Sequence, residues 1–140
     1  MSPAAIAEID AALAGINGRP WETLTTAEIP LPGLGAELKD IAGELEDGCG
    51  VVKVTGLPVQ RYSEAALRAA YFAIGAHLGT PVQQNGGRGL MRDIRDNSRN
   101  GGRRVDSAEA LSWHNDRADV VALLCVRRAH NGGISRIVSA

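Results

Sequence analysis

The apolar run Val120-Val121-Ala122-Leu123-Leu124-Cys125-Val126, bounded by charged residues on both sides, constrains the fold more than any other stretch of this chain. A continuous apolar run of this length, with no polar face, is the pattern of a β-strand buried on both sides. Within it Cys125 reads as a core residue. His130-Asn131-Gly132-Gly133 follows as a turn, and Ile134-Ser135-Arg136-Ile137-Val138-Ser139 alternates as a further strand. The sequence then stops on a β-forming segment, so an unpaired edge is expected, and with it self-association (a homo-oligomer) rather than a clean monomer.

The first half carries a different period. Residues 3–14 are predicted as a peripheral amphipathic helix: Ser2 can cap it, Pro3 suits its first turn, Ile6, Ile9 and Leu13 share a face, and Gly15 ends it. Residues 18–33, punctuated by Pro20, Pro30, Pro32 and Gly33, read as an extended connection with a short edge strand near 23–26. Leu34, Leu38, Ile41 and Leu45 recur at helical spacing, and Gly48-Cys49-Gly50 closes that helix before a strand at 51–56. Leu57-Pro58 then breaks the strand.

Ser63 is the expected N-cap of a third helix, with Leu67, Tyr71, Ile74 and Leu78 in one stripe and Gly79 and Pro81 at its end. His77, in its last turn, reads as a partner of the helix dipole and not as a ligand. Residues 81–84 and 90–95 are predicted short strands around Asn85-Gly86-Gly87, and 97–104 a flexible loop. Helices first and strands later give an α+β chain, a β-core dressed by helices.

A length of 140 residues fits one ordinary domain. With 44% hydrophobic and 22% charged residues the composition is that of a soluble globular protein. No stretch approaches the roughly 20 apolar residues of a membrane span. The N-terminus has no basic region and carries Glu8 and Asp10 where a signal peptide is apolar, so a cytoplasmic location is expected. Two cysteines, Cys49 and Cys125, provide neither a disulfide framework nor a CxxC metal spacing.

The net charge of −1 hides an asymmetry: residues 1–87 hold five basic against ten acidic side chains, and residues 88–140 hold ten arginines against six acids. A basic half favours small anionic ligands such as dicarboxylates. It does not read as a nucleic-acid surface, because Asp93 and Asp96 interrupt the arginines between 88 and 104 and no aromatic residue is interleaved for base stacking.

The chemistry concentrates at Trp113-His114-Asn115-Asp116-Arg117. In an extended backbone, side chains two apart share a face, so His114 and Asp116 can meet one ion while Asn115 turns away. One imidazole and one carboxylate are two of the three donors of a facial triad, which leaves positions open for a co-substrate and dioxygen on iron(II). The tripeptide alone is a weak signal, since His-x-Asp recurs by chance in capping and solvated positions.

Three stretches together say more. Gly48-Cys49-Gly50-Val51-Val52-Lys53-Val54-Thr55-Gly56-Leu57-Pro58, then 111–121 around the His-x-Asp, then Leu123-Leu124-Cys125 running into Gly132-Gly133-Ile134-Ser135-Arg136-Ile137-Val138-Ser139, resemble the TauD/TfdA-like (taurine dioxygenase-like) family of Fe(II)- and 2-oxoglutarate-dependent dioxygenases. The resemblance implies a double-stranded β-helix, or jelly roll, with N-terminal helices packed outside. It divides one domain of 1–140 into a peripheral helix and connection (1–33) and helices with the first part of the jelly-roll core (34–140). It also implies His114 and Asp116 as iron ligands, Ser135 as a hydroxyl contact to 2-oxoglutarate, and dioxygen and a small organic substrate as further partners. The reaction implied is oxidative decarboxylation of 2-oxoglutarate coupled to C–H hydroxylation.

The sequence departs from the family in one respect. Family members continue further and supply a distal histidine as third ligand and an arginine for the 2-oxoglutarate carboxylate, neither of which has a counterpart here. His77 and His130 are not expected to substitute, and Arg127 and Arg128 read as solvated residues flanking a turn. The expectation is therefore a truncated dioxygenase domain with little turnover by itself. The alternative is a non-catalytic fragment or binding module that pairs with a partner chain.

Overall fold

The structure is a computed structural model that describes residues 1–84, 89–95 and 110–138. Three α-helices organise it: α1 (Pro3–Gly15), α2 (Leu34–Asp47) and α3 (Glu64–Leu78), with short 3-10 turns at Trp21–Thr23 and Val59–Arg61. Two compact units divide the chain, one formed by residues 1–80 with 122–140 and the other by residues 81–121.

Two of the three helices start for a local reason. The Ser2 hydroxyl accepts the Ala5 amide at 3.1 Å and Pro3 occupies the first turn, as the sequence predicts. Ser63 does the same for α3, accepting from Ala66 at 3.2 Å, with Glu64 and Arg68 paired one turn apart at 3.0 Å. Helix α2 is different because its N-cap is Gly33, which has no side chain. The carboxylate of Glu8, on α1, accepts the Gly33 amide at 3.0 Å and the Leu34 amide at 2.9 Å instead. A negative charge is thus placed on the orphan donors of a helix N-terminus. At the other end, the Glu44 carboxylate accepts the Cys49 amide at 3.0 Å, and this bond holds the carboxyl below its ordinary range.

The core is built between these helices. Ile9, Ile29 and Leu38 are fully buried, surrounded by Ala5, Ala12, Ile16, Leu24, Leu31, Leu34, Leu67, Ala69, Ala70, Phe72 and Ala73. Trp21 leans on Phe72 with ring centroids 5.3 Å apart. The buried face of α1 is Ala5, Ile9 and Ala12 rather than Ile6, Ile9 and Leu13, and α3 buries its small residues deepest while Tyr71, Ile74 and Leu78 stay half-buried. His77 fulfils its structural reading: its Nε2 lies 3.0 Å from the buried Ile29 carbonyl and ties the end of α3 to the loop ahead of α2.

The predicted strands are where the structure departs from expectation. Among the described residues, 23–26, 51–56, 81–84, 90–95, 120–126 and 134–138 form no strand ladder. Residue 23 instead closes a 3-10 turn. A strand is completed by hydrogen bonds from a neighbour, so a β-rich composition without a paired partner forms no sheet. Cys125 is accordingly exposed, not buried, and so is Cys49. The turn placed at Asn85-Gly86-Gly87 lies outside the described residues; beside it the Gln84 amide donates to the Gly89 carbonyl at 2.8 Å. The loop at 97–104 and the end of the last predicted strand, at Ser139, lie outside the described residues.

Candidate metal centre

His114 and Asp116 lie in the unit of residues 81–121, and both are exposed. Their positions two apart are held by local backbone only, since no helix or paired strand runs through residues 110–121. One contact orders the imidazole: His114 Nδ1 lies 2.7 Å from the Ser112 carbonyl oxygen. A carbonyl oxygen only accepts, so Nδ1 carries the hydrogen and the lone pair of the neutral ring resides on Nε2. This is the arrangement by which a metal-binding histidine is commonly oriented, one nitrogen donating to a backbone carbonyl and the other left for the ion. The chemistry of the donor pair therefore fits iron(II), and it is only a pair. Among the described residues no three His, Cys, Asp or Glu side chains converge on one point.

The other sequence candidates are placed as follows. Ser135 is exposed and belongs to the unit of residues 1–80 with 122–140. His77 is committed to Ile29, and His130 is exposed at a bend. A hollow lined by Val59, Gln60, Cys125, Val126, Arg127 and Arg128 offers cationic side chains and a thiol but no imidazole or carboxylate, which makes it unsuited to a hard divalent ion. The Ser112 carbonyl escaped the sequence reading because a backbone acceptor has no letter of its own; the only available signal was its place two residues before a candidate ligand.

Ionic groups that are well organised lie in the helical unit. The Asp10 carboxylate, on α1, takes hydrogen bonds from Arg61 and from the Tyr62 hydroxyl, the latter at 2.9 Å. The Arg61 bond, then that of Tyr62, holds its carboxyl below the ordinary range, and desolvation pushes the Tyr62 phenol up. Glu28 accepts from the Thr25 amide at 2.9 Å, the Thr25 hydroxyl at 2.8 Å and Arg19 at 2.7 Å. Its carboxyl is lowered to about 2, with the Thr25 amide as the largest cause.

A family model described as "Taurine catabolism dioxygenase TauD, TfdA family" matches residues 17–140, nearly the whole chain. The chain belongs to the TauD/TfdA family. Among its relatives is FR-33289 synthase of Streptomyces rubellomurinus (strain ATCC 31215), 34% identical over 126 residues that cover 86% of this chain and 37% of that protein. The chain thus spans just over a third of the length of this curated relative. His114, Asp116 and Ser135 fall inside the family match, whereas α1 precedes it. No helix among the described residues is long and apolar enough to cross a membrane.

Proposed function

We propose that this chain is the part of a cytoplasmic Fe(II)- and 2-oxoglutarate-dependent dioxygenase that contributes the first two metal donors. The observation that supports the reading is the orientation of His114 within a family-matched segment: Nδ1 is spent on the Ser112 carbonyl, which leaves the Nε2 lone pair free to bind an ion. Asp116 supplies an anionic oxygen two residues on, which balances part of the metal charge. Iron(II) held there with 2-oxoglutarate would activate dioxygen, the oxidant, which oxidises 2-oxoglutarate to succinate and carbon dioxide and a substrate C–H bond to an alcohol. Ser135 donates its hydroxyl hydrogen to a carboxylate of the co-substrate, and dioxygen and a small organic molecule complete the reactants. In this reading the stretches at 51–56, 120–126 and 134–139 are strands of a jelly roll, and the third metal donor comes from polypeptide outside these 140 residues.

Anaerobic titration with iron(II) tests the donor pair. Two protein donors give weak binding, and His114→Ala or Asp116→Ala removes it; equal affinities in wild type and both variants would overturn the assignment. If iron(II) and 2-oxoglutarate together give a visible charge-transfer band that His114→Ala abolishes, a third donor lies within reach and turnover is expected.

A second reading, a non-catalytic chain that pairs with a partner, draws support from the exposed apolar side chains of Leu123, Val126, Ile134, Ile137 and Val138. In that case His114→Ala leaves partner binding unchanged.

A further inference from the structure

Helix α1 precedes residue 17, where the family match starts, yet it is tied into the matched region at several separate places. Its apolar contribution is Ala5, Ile9 and Ala12, followed by Ile16, of which Ile9 is the one large side chain fully buried. Its polar contribution reaches far along the chain. Glu8 receives the Gly33 and Leu34 amides, 25 and 26 residues away. Asp10 receives Arg61 and Tyr62, 51 and 52 residues away. The α-amino group of Met1 donates to the Thr55 carbonyl, 54 residues away. At the neighbouring Gly56, with φ of 93°, a Cβ would stand 3.1 Å from the Met1 nitrogen, so the N-terminal residue lies directly over a glycine.

The segment these contacts reach has little of its own to fix it. Residues 51–58 have neither helix nor paired strand, and Val51 and Val54 are exposed. Residues 59–61 form one 3-10 turn with no side-chain cap. Apart from its bonds to residues 1–16, the hydrogen bonds of 55–62 are local, from the Val59 amide to the Leu57 carbonyl and from the Arg61 amide to the Pro58 carbonyl, and its further neighbours are residues 125–128, which line a hollow with Val59 and Gln60. The strap also has a defined exit, because Asn17 and Gly18 both take positive φ, at 52° and 75°, before Pro20.

We propose that residues 1–16 form an intramolecular strap, latched by the Glu8 and Asp10 carboxylates, that holds the 55–62 segment and the start of α2 in place and can lift as a unit. The two latches act on different targets, so the strap sets the position of a segment inside the family-matched region without itself belonging to that region. This is independent of any metal role for His114.

Hydrogen exchange on the full chain, comparing wild type with Glu8→Ala, Asp10→Ala and the double variant, tests the strap. Alanine favours helix, so α1 itself is not weakened by these changes. In the double variant, amides of 55–62 are expected to exchange at least about tenfold faster, while those inside α3 keep their wild-type rates, the signature of local rather than global opening. Trypsin provides the second measurement. Arg61 is engaged by Asp10 and Lys53 carries no such tie, so cleavage after Arg61 relative to Lys53 rises in Asp10→Ala. Unchanged exchange at 55–62, or acceleration spread equally over α3, would overturn the proposal, since α1 would then be either unattached or an ordinary part of one cooperative core.

Discussion

Glu28 shows how much a single exposed carboxylate can organise. It gathers an amide, a hydroxyl and a guanidinium around the turn at 25–29, whose last residue, Ile29, is completely buried and receives His77 on its carbonyl. Its carboxyl titrates at about 2 in the fold, below the ordinary value of 4.5. A depressed folded value means that the stabilisation is fully present above about pH 4.5 and is lost as pH falls toward 2. Asp10 and Glu44 are shifted in the same direction and add to the loss. Glu28→Gln is therefore expected to lower the thermal midpoint at pH 6 while flattening its decline between pH 4.5 and 2.5; thermal melts at those three pH values check both. At this scale the sequence showed the side chains but not their partners. His114 and Asp116 stand out by spacing, whereas the Ser112 carbonyl that turns the imidazole and the amide that anchors Glu28 belong to the backbone and appear only with the fold.

Among the elements, α2 is the one whose start depends on another helix. Gly33 has helical φ and ψ of −85° and −49°, so alanine there would ordinarily stabilise by about 0.4–1 kcal/mol through the unfolded chain. Here a Cβ would press on the Glu8 carboxylate that caps the helix. Gly33→Ala should consequently displace Glu8 and lose a cap worth about 1 kcal/mol. In a Glu8→Ala background the same substitution should turn neutral or stabilising. Urea denaturation of the four members of this cycle measures the coupling, and additive effects would show that Glu8 does not cap α2.

The three helices were legible because a helix satisfies its own hydrogen bonds within one stretch of sequence, and Ser2, Ser63 and Gly48-Cys49-Gly50 mark its ends with side chains or glycine. The stretches at 51–56, 120–126 and 134–138 read as strands from composition, yet they form no ladder here. Their pairing is a property of neighbours, and the Glu8 cap, 25 residues from its target, carried no local signal either.

At the scale of the chain, the decisive contrast is between a buried apolar set that, among the described residues, lies within 5–73 and a run of large apolar side chains that water reaches. Leu123 is 71% exposed and Ile134 81%, with Val126, Ile137 and Val138 also above half. Exposed large apolar side chains on backbone that no strand ladder pairs are a surface along which chains associate. The isolated chain is expected to associate reversibly as concentration rises and to bind a hydrophobic dye while retaining its helical signal. None of these five residues belongs to the helical core, so Leu123→Lys with Ile134→Lys and Ile137→Lys removes apolar surface without touching the packing of α1, α2 and α3. Light scattering should fall toward the monomer mass and dye fluorescence should drop, with the thermal midpoint followed by circular dichroism within about 2 °C of wild type. A matching fall in the midpoint would mean instead that these side chains support the helices, and association would then have to be traced to another surface.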